Sequence, residues 1–314
     1  MIEVRGKGNN IARLIKHSVS ASGIELLTWE LEYWRGWHSE NMTHRMLSKN
    51  SSSTRAIPIS KAIDLIRQNP GMPIHWGLNN PGMQSNVEMD VYQASIAKTK
   101  WLEAMESAIS FAIELSDKNG INGHKQWVGR LLEAFSCMKV VQTGTEFSNY
   151  DALRDHKDAQ PEFADLVRCM KKAKAQSTPD LLKAGEWHLP YITTKRIDGK
   201  LTYWASDDTQ IDLDTARKVS ASCCAQASYR KLDDTLEKAL DVYEKLKLDG
   251  TSDSPKHASP VEHQATPMDS DNIPFNPNTW ENGVTHVRRD GSLWSGNFRG
   301  WIQHRQLIPN EAVW

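Results

Sequence analysis

The spacing of hydrophobic and polar positions changes several times along the chain, and each change predicts an element. Residues 24–34, IELLTWELEYW, alternate in part and are rich in aromatic and branched side chains, which predicts a strand. A polar stretch follows, closed by Pro58, and residues 59–69 then predict a short helix ended by the breaker Asn69-Pro70-Gly71. The longest helical period runs over 91–116, where Leu102, Met105, Ile109, Ala112 and Ile113 share one face and Gly120 lies just beyond the end. Residues 124–142 predict a buried helix through Leu131, Leu132, Phe135 and Met138, and residues 161–174 another, opened by Pro161 in the first turn. A last stripe, Leu232, Leu236, Leu240, Tyr243 and Leu246, predicts a helix over 231–248 ended by Gly250. From about 249 to 295, Ser, Asp, Asn, Pro and Gly dominate, which predicts a long loop with a hairpin around Asp290-Gly291. The sum is a helix-rich α+β chain with a small antiparallel sheet.

Composition narrows this picture. The chain has 314 residues, 39% hydrophobic and 25% charged, with a formal net charge of −1. That is enough for one core, and we read residues 1–314 as a single domain, with a first part over 1–205 and a second over 206–314. The near-zero charge supplies no global field for nucleic acid or an anionic membrane, although a local basic pocket is compatible with it. The start of the chain lacks the apolar run of a signal peptide, and no stretch approaches a membrane span. Cys137, Cys169, Cys223 and Cys224 form no C-x-x-C, so the expectation is a reduced, cytoplasmic chain without a structural metal. The many tryptophans are expected to pack in the core. His75 and His188, each flanked by an aromatic residue, are expected to be satisfied structural histidines rather than catalysts.

Candidate chemistry concentrates in a short repeat. Thr43-His44-Arg45 followed by Asn50-Ser51 recurs as Gln303-His304-Arg305 followed by Asn310-Glu311, with the same spacing from His-Arg to Asn. The first copy continues through Ser52 and Ser53 to Arg55. Arg45 and Arg55 offer planar paired donors for a phosphate or a carbonyl edge, and the serines add hydroxyl and backbone donors. The same stretch also reads as a solvated Ser-rich loop capping the helix at 59. Farther on, Arg130 opens GRLLEAF, where flanking leucines favour an anionic partner for the guanidinium.

The stretch THRMLSKNSSSTR resembles the signature of the flavin-dependent thymidylate synthases, with His44, Arg45, Ser48, Asn50, Ser53 and Arg55 at matching positions. GRLLEAF and NYDALRDHKDAQPE are similar to the family's second half, matching Arg130, Asn149, Arg154, Gln160 and Glu162. SASCCAQASY at 220–229 and HASPVEHQATP at 257–267 resemble family segments that ordinarily precede the His-Arg box. Here they follow it and lead into the second box. The chain therefore resembles a circularly permuted, long form of the family with its box duplicated, of the kind found among bacteriophages.

The resemblance implies that dUMP is held by Ser53, Arg55, Arg130 and Arg154, and FAD by His44, Arg45, Asn50, Asn149, His257, His304, Arg305 and Asn310. It implies Arg154 and Glu311 as catalytic residues, with Arg154 stabilising charge on the pyrimidine ring. NADPH and methylenetetrahydrofolate would be co-substrates, dTMP the product, and a homotetramer the assembly, with no cysteine nucleophile. An alternative within the same chemistry is a modified pyrimidine nucleotide such as hydroxymethyl-dUMP; a catalytically silent nucleotide- or flavin-binding homologue is another. Thr43, Ser51 and Ala56 depart from the family's Arg, Glu and Tyr, and Cys223 and Gln226 replace expected arginines. The second box keeps Glu311 but stops before the Ser and Arg. Each box retains what the other lacks, which suggests that the first serves the nucleotide phosphate and the second the flavin or the family's Glu role.

Overall fold

The computed structural model describes residues 1–228, 235–247, 257–309 and 311. Its centre is a six-stranded sheet. The strands are β1 (Ile2–Arg5), β2 (Ile11–Ser20), β3 (Glu25–Trp34), β4 (Ser48–Ser51), β5 (Cys137–Gly144) and β6 (Asp180–Leu182). They run in the order β1-β2-β3-β5-β4, antiparallel throughout, with β6 parallel to the far end of β2. The class is α+β, as the sequence predicts, and β3 lies where alternation placed it.

Period-2 alternation gives the sheet two different faces. Leu27, Trp29, Leu31 and Tyr33 of β3, with Met138 and Val140 of β5, form one face. Helix α6 (Pro161–Ala175) covers it with Phe163, Leu166, Val167, Met170 and Ala173, spaced three to four apart. Aromatic stacking ties the layers: Trp37 lies between Tyr33 at 4.0 Å and Phe163 at 4.4 Å, centroid to centroid. Glu162, buried in the first turn of α6, accepts a hydrogen bond from the Ile74 backbone at 2.7 Å, so its carboxylate has a structural task.

The opposite face carries buried polar groups. A chain of buried side chains runs across it: Ser18 to His188 Nδ1, His188 Nε2 to Thr28, Thr28 to Thr143, and Thr143 to His263 Nδ1, each at 2.8–2.9 Å. His188 is thus the core histidine expected, with both ring nitrogens partnered. His75 is partly buried and its Nε2 lies 3.1 Å from the Ser85 carbonyl. The second half of the chain covers this face through a three-stranded sheet, the helix α7 (Leu213–Ala225) and the pair formed by Ala265–Pro267 and Trp301–Gln303.

A helical cluster stands at the end of the sheet. Ile59, Ile63 and Ile66 from Ile59–Gln68 meet Met105, Ile109 and Ala112 from Val91–Ser116, whose Asp90–Gln93 capping box starts the longer helix.

One expectation needs correction. Residues 124–142 are not one helix: they form a single turn at Lys125–Val128, a 3-10 helix at Gly129–Phe135 and then β5. The run Val140–Thr143 is buried on both faces of a central strand, so polar and apolar residues do not alternate between an exposed and a buried face, and the segment lacks the period that would mark it as a strand. The last helix is found over Leu236–Lys245, while 229–234 and 248–256, including Leu232 and Gly250, lie outside the described residues. The hairpin at Asp290-Gly291 is present, with His286 opposite Trp294 and Gly291 at φ +79. Among the described residues no helix is long and apolar enough to cross a membrane.

Leu166 is fully buried between α6 and the sheet. Leu166→Ala is expected to lower unfolding stability by about 2–5 kcal/mol, read from the urea midpoint. A change below about 0.5 kcal/mol would contradict this packing.

Candidate functional site

The first box follows α1 (His38–Met42) through a tight turn and becomes the edge strand β4, which pairs with β5 as Ser48 to Thr143 and Asn50 to Val141. Arg154, at the end of a short helix at Ser148–Arg154, reaches back to it. Its Nε donates to His44 Nε2 at 2.8 Å, across a sequence separation of 110 residues. Nη1 donates to Glu40 at 3.2 Å, and the guanidinium lies 4.7 Å from the Phe163 ring centroid. His44 packs edge-on against Tyr150. Because His44 Nε2 accepts, its proton sits on Nδ1 and the ring is neutral. Burial, then Arg154 and Lys49, push its pKa down to about 4.

Lys49, which the sequence did not single out, donates to the carbonyls of His44 and Leu47 and is drawn down to about 8 by burial. Asn50 donates to the Cys224 carbonyl on α7. Arg45 is exposed.

The residues matched to the nucleotide phosphate gather at the far end of β4. Ser53 caps a 3-10 turn at Thr54–Ala56, accepting from the Arg55 backbone, and Arg55 is exposed. Arg130 is exposed rather than enclosed by its leucines, and pairs with Glu133 at 2.8 Å. Beside them opens a cavity of about 230 Å³. Three motif segments contribute to its wall: Ser52 and Thr54 from the first box, Gly129 and Leu132 from GRLLEAF, and Ala227 from the 220–229 segment. Ile57, Leu65, Ile66 and Met138 make much of the rest apolar. Whole-ligand sites commonly span about 300–1,000 Å³, so this cavity suits a ring system or a small nucleotide rather than an entire dinucleotide.

Its charged wall was not legible beforehand. Arg35, Glu32 and Lys139 line it. Glu32 is engaged by Arg13 at 2.5 Å and by Lys139 at 3.8 Å, and Lys139 also meets Glu30 at 3.3 Å. Arg35 is left with less: Nη2 donates to the Ser52 carbonyl at 3.0 Å, Nη1 is 3.8 Å from Glu133, and its buried Nε has no hydrogen-bond partner. Burial lowers its pKa and Glu133 opposes that effect. A guanidinium in an aromatic strand-end segment, Tyr33-Trp34-Arg35-Gly36-Trp37, was the available signal.

The second box meets the first: Gln303 donates to Ser48 at 3.2 Å, beside Asn297. His304 is buried edge-on to Trp187 at 5.5 Å, with Nδ1 lacking a partner. Arg305 pairs with Glu262 at 2.5 Å and Glu311 at 2.6 Å. Asn310 lies outside the described residues. Asn149 and His257 are exposed.

These positions do not form one enclosed flavin cradle within a single copy. Exposed Arg45, Asn149 and His257 leave donors available to such a group, whereas His304 is buried and Arg305 is paired inside. Burial pushes the Cys137 thiol up to about 12 and that of Cys224 well above its usual value, which disfavours the thiolate at these two positions. No cluster of metal-ligating side chains occurs among the described residues.

No family model and no curated protein sequence matches the chain. Among solved structures, it is similar to a UMP/dUMP methylase, PolB from Streptomyces cacaoi, bound with 5-Br UMP. That likeness has 15% identity and a TM-score of 0.46, covering 56% of this chain and 92% of the other. The same methylase bound with 5-Br dUMP gives 15% identity and a TM-score of 0.44, over 55% and 93%. The flavin-dependent thymidylate synthase ThyX from Helicobacter pylori, complexed with FAD and dUMP, gives 16% identity and a TM-score of 0.31, over 48% and 67%.

The neutral histidines make stability acid-sensitive. The pKa values of His38, His44 and His304 are lowered to about 4 and that of His263 to about 3, mainly by burial. Each favours the fold fully above the unfolded value near about 6.5, and this is lost as pH falls toward the folded value. The urea midpoint should therefore fall between pH 7.5 and 5. An unchanged midpoint would show that these rings are not neutral and buried.

Proposed function

We propose that the chain is an enzyme that binds a flavin and a pyrimidine deoxynucleotide and transfers a one-carbon unit to C5 of dUMP, forming dTMP. Methylenetetrahydrofolate would be the donor and NADPH the reductant. The observation that carries this reading is the contact between His44 and Arg154. The motif resemblance assigns His44 to the flavin and Arg154 to the nucleotide's ring, two ligands that must react together, and the two side chains meet across a separation of 110 residues. The cavity lined by three motif segments supports the same reading.

In this proposal the protein positions and polarises. Arg154 is held by the neutral His44 ring, Glu40 and the Phe163 face, so its guanidinium is a fixed cation where negative charge develops on the pyrimidine. Ser53, Arg55 and Arg130 take the phosphate. His44, Arg45, Asn50, Asn149 and His257 supply the flavin's contacts, and the exposed members of that set are served best if a second copy completes the site, as in a homotetramer. When bound, flavin supplies the redox chemistry of the transfer. Glu311 is proposed to support the site through Arg305.

Purified protein should show flavin absorption near about 370 and 450 nm, perturbed by dUMP, and mass spectrometry of the turnover mixture should show dTMP. A protein that stays colourless after incubation with FAD would remove the flavin from this reading. A hydroxymethylated product would assign the alternative chemistry. Arg154→Ala should lower turnover by roughly 10²–10³ with dUMP still bound; unchanged turnover would place the charge-stabilising group elsewhere.

A further inference from the structure

Beside the cavity, one carboxylate oxygen collects donors from three separate elements. Glu133 Oε1 accepts from Arg130 Nη1 at 2.8 Å and from Thr54 Oγ1 at 2.9 Å, and lies 3.8 Å from Arg35 Nη1. Arg35 follows β3, Thr54 belongs to the first box, and Arg130 and Glu133 sit in the 3-10 helix. The Arg130–Glu133 pair is local, an i,i+3 contact within the 3-10 helix, whereas Thr54 and Arg35 are brought to the same oxygen by the tertiary fold.

The charges there do not balance. Arg35 and Arg130 face a single carboxylate, because Glu32, the other acid of the wall, is taken by Arg13 and Lys139. Arg35 is also short of acceptors, with its buried Nε unpartnered. A carboxylate oxygen at 3.8 Å gives it attraction without a hydrogen bond. A phosphate monoester presents three terminal oxygens and nearly two charges, enough to serve Arg35, Thr54 and Arg130 individually. The apolar wall of Ile57, Leu65 and Leu132 would lie against the rest of the ligand.

We propose that Glu133 is an internal stand-in for the substrate's phosphate. A phosphate monoester displaces it from Thr54, Arg130 and Arg35, and Arg35 is the cation that sets the affinity. This rests on the reading that a nucleotide binds beside the first box. Glu133 then acts as a discriminator: a weakly charged or neutral ligand fails to displace it, whereas a phosphomonoester succeeds.

Calorimetric titration of the full chain with dUMP, and separately with inorganic phosphate, at fixed low ionic strength tests this. Glu133→Gln keeps an acceptor for Thr54 and drops the competing charge, so both ligands should bind about fivefold tighter. Arg35→Ala should weaken both by about tenfold or more. Arg35→Lys should recover part of that loss, since it restores the charge without the planar fork. Urea midpoints report whether each variant is folded. If Glu133→Gln is not, Glu133→Asp, which retracts the carboxylate by one carbon, should also tighten binding. Unchanged or weaker binding in the folded Glu133 variant would make Glu133 a prop for the arginines and overturn the proposal. So would an Arg35→Ala variant that binds like the parent, or a parent that binds neither ligand. Phosphate binding that responds as expected, without dUMP binding, would keep the anion site and remove the nucleotide reading. Binding of dUMP that ignores both variants would do the reverse.

Discussion

Strand β5 is the element on which the rest of the structure depends. It is paired along its whole length to β3 and along its second half to β4, and it is buried on both faces. Its side chains divide between the two faces. Met138 and Val140 fill the layer beneath α6, Lys139 and Cys137 line the cavity, and Thr143 carries the buried hydrogen-bond chain from Thr28 to His263. A slip of one residue would exchange these roles and place Lys139 in the apolar core, which is why the register is strongly specified.

The candidate site inherits its geometry from that register. Pairing with β5 turns the first box into a strand, so its side chains alternate. Ser48 and Asn50 meet the second half of the chain at Gln303 and the Cys224 carbonyl. Ser52 and Thr54 reach the cavity wall, and exposed Arg55 follows the Ser53 cap. On the other layer, α6 presents Phe163 to His44 and Arg154. The contact that carries the functional reading is thus held by the same packing that holds the core.

The two boxes, alike in sequence, have different physical environments. His44 is partly exposed and engaged by a guanidinium, whereas His304 is buried against Trp187 with one nitrogen unsatisfied. Arg45 is exposed, while Arg305 is neutralised by Glu262 and Glu311. Their contact through Ser48 and Gln303 makes them neighbours rather than equivalent half-sites.

Sequence alone determined the elements whose signal is local. The strand at 25–34, the helices at 59–68, 91–116 and 161–175, and the Asp290-Gly291 hairpin follow from period, caps and turn residues within the segment itself. The motif resemblance assigned His44 to the flavin and Arg154 to the nucleotide, and the fold brings these two side chains into contact. Tertiary structure decided what depends on distant partners. Burial on both faces erased the period that would have separated β5 from a helix, and the strands at 2–5 and 11–20 acquire their meaning only from pairing. Arg130 was read as an enclosed cation and stands exposed beside Glu133, because a 3-10 helix turns its neighbour Leu131 outward as well. The convergence of Arg35, Thr54 and Arg130 on one oxygen joins residues from three elements, so no spacing in the chain could announce it.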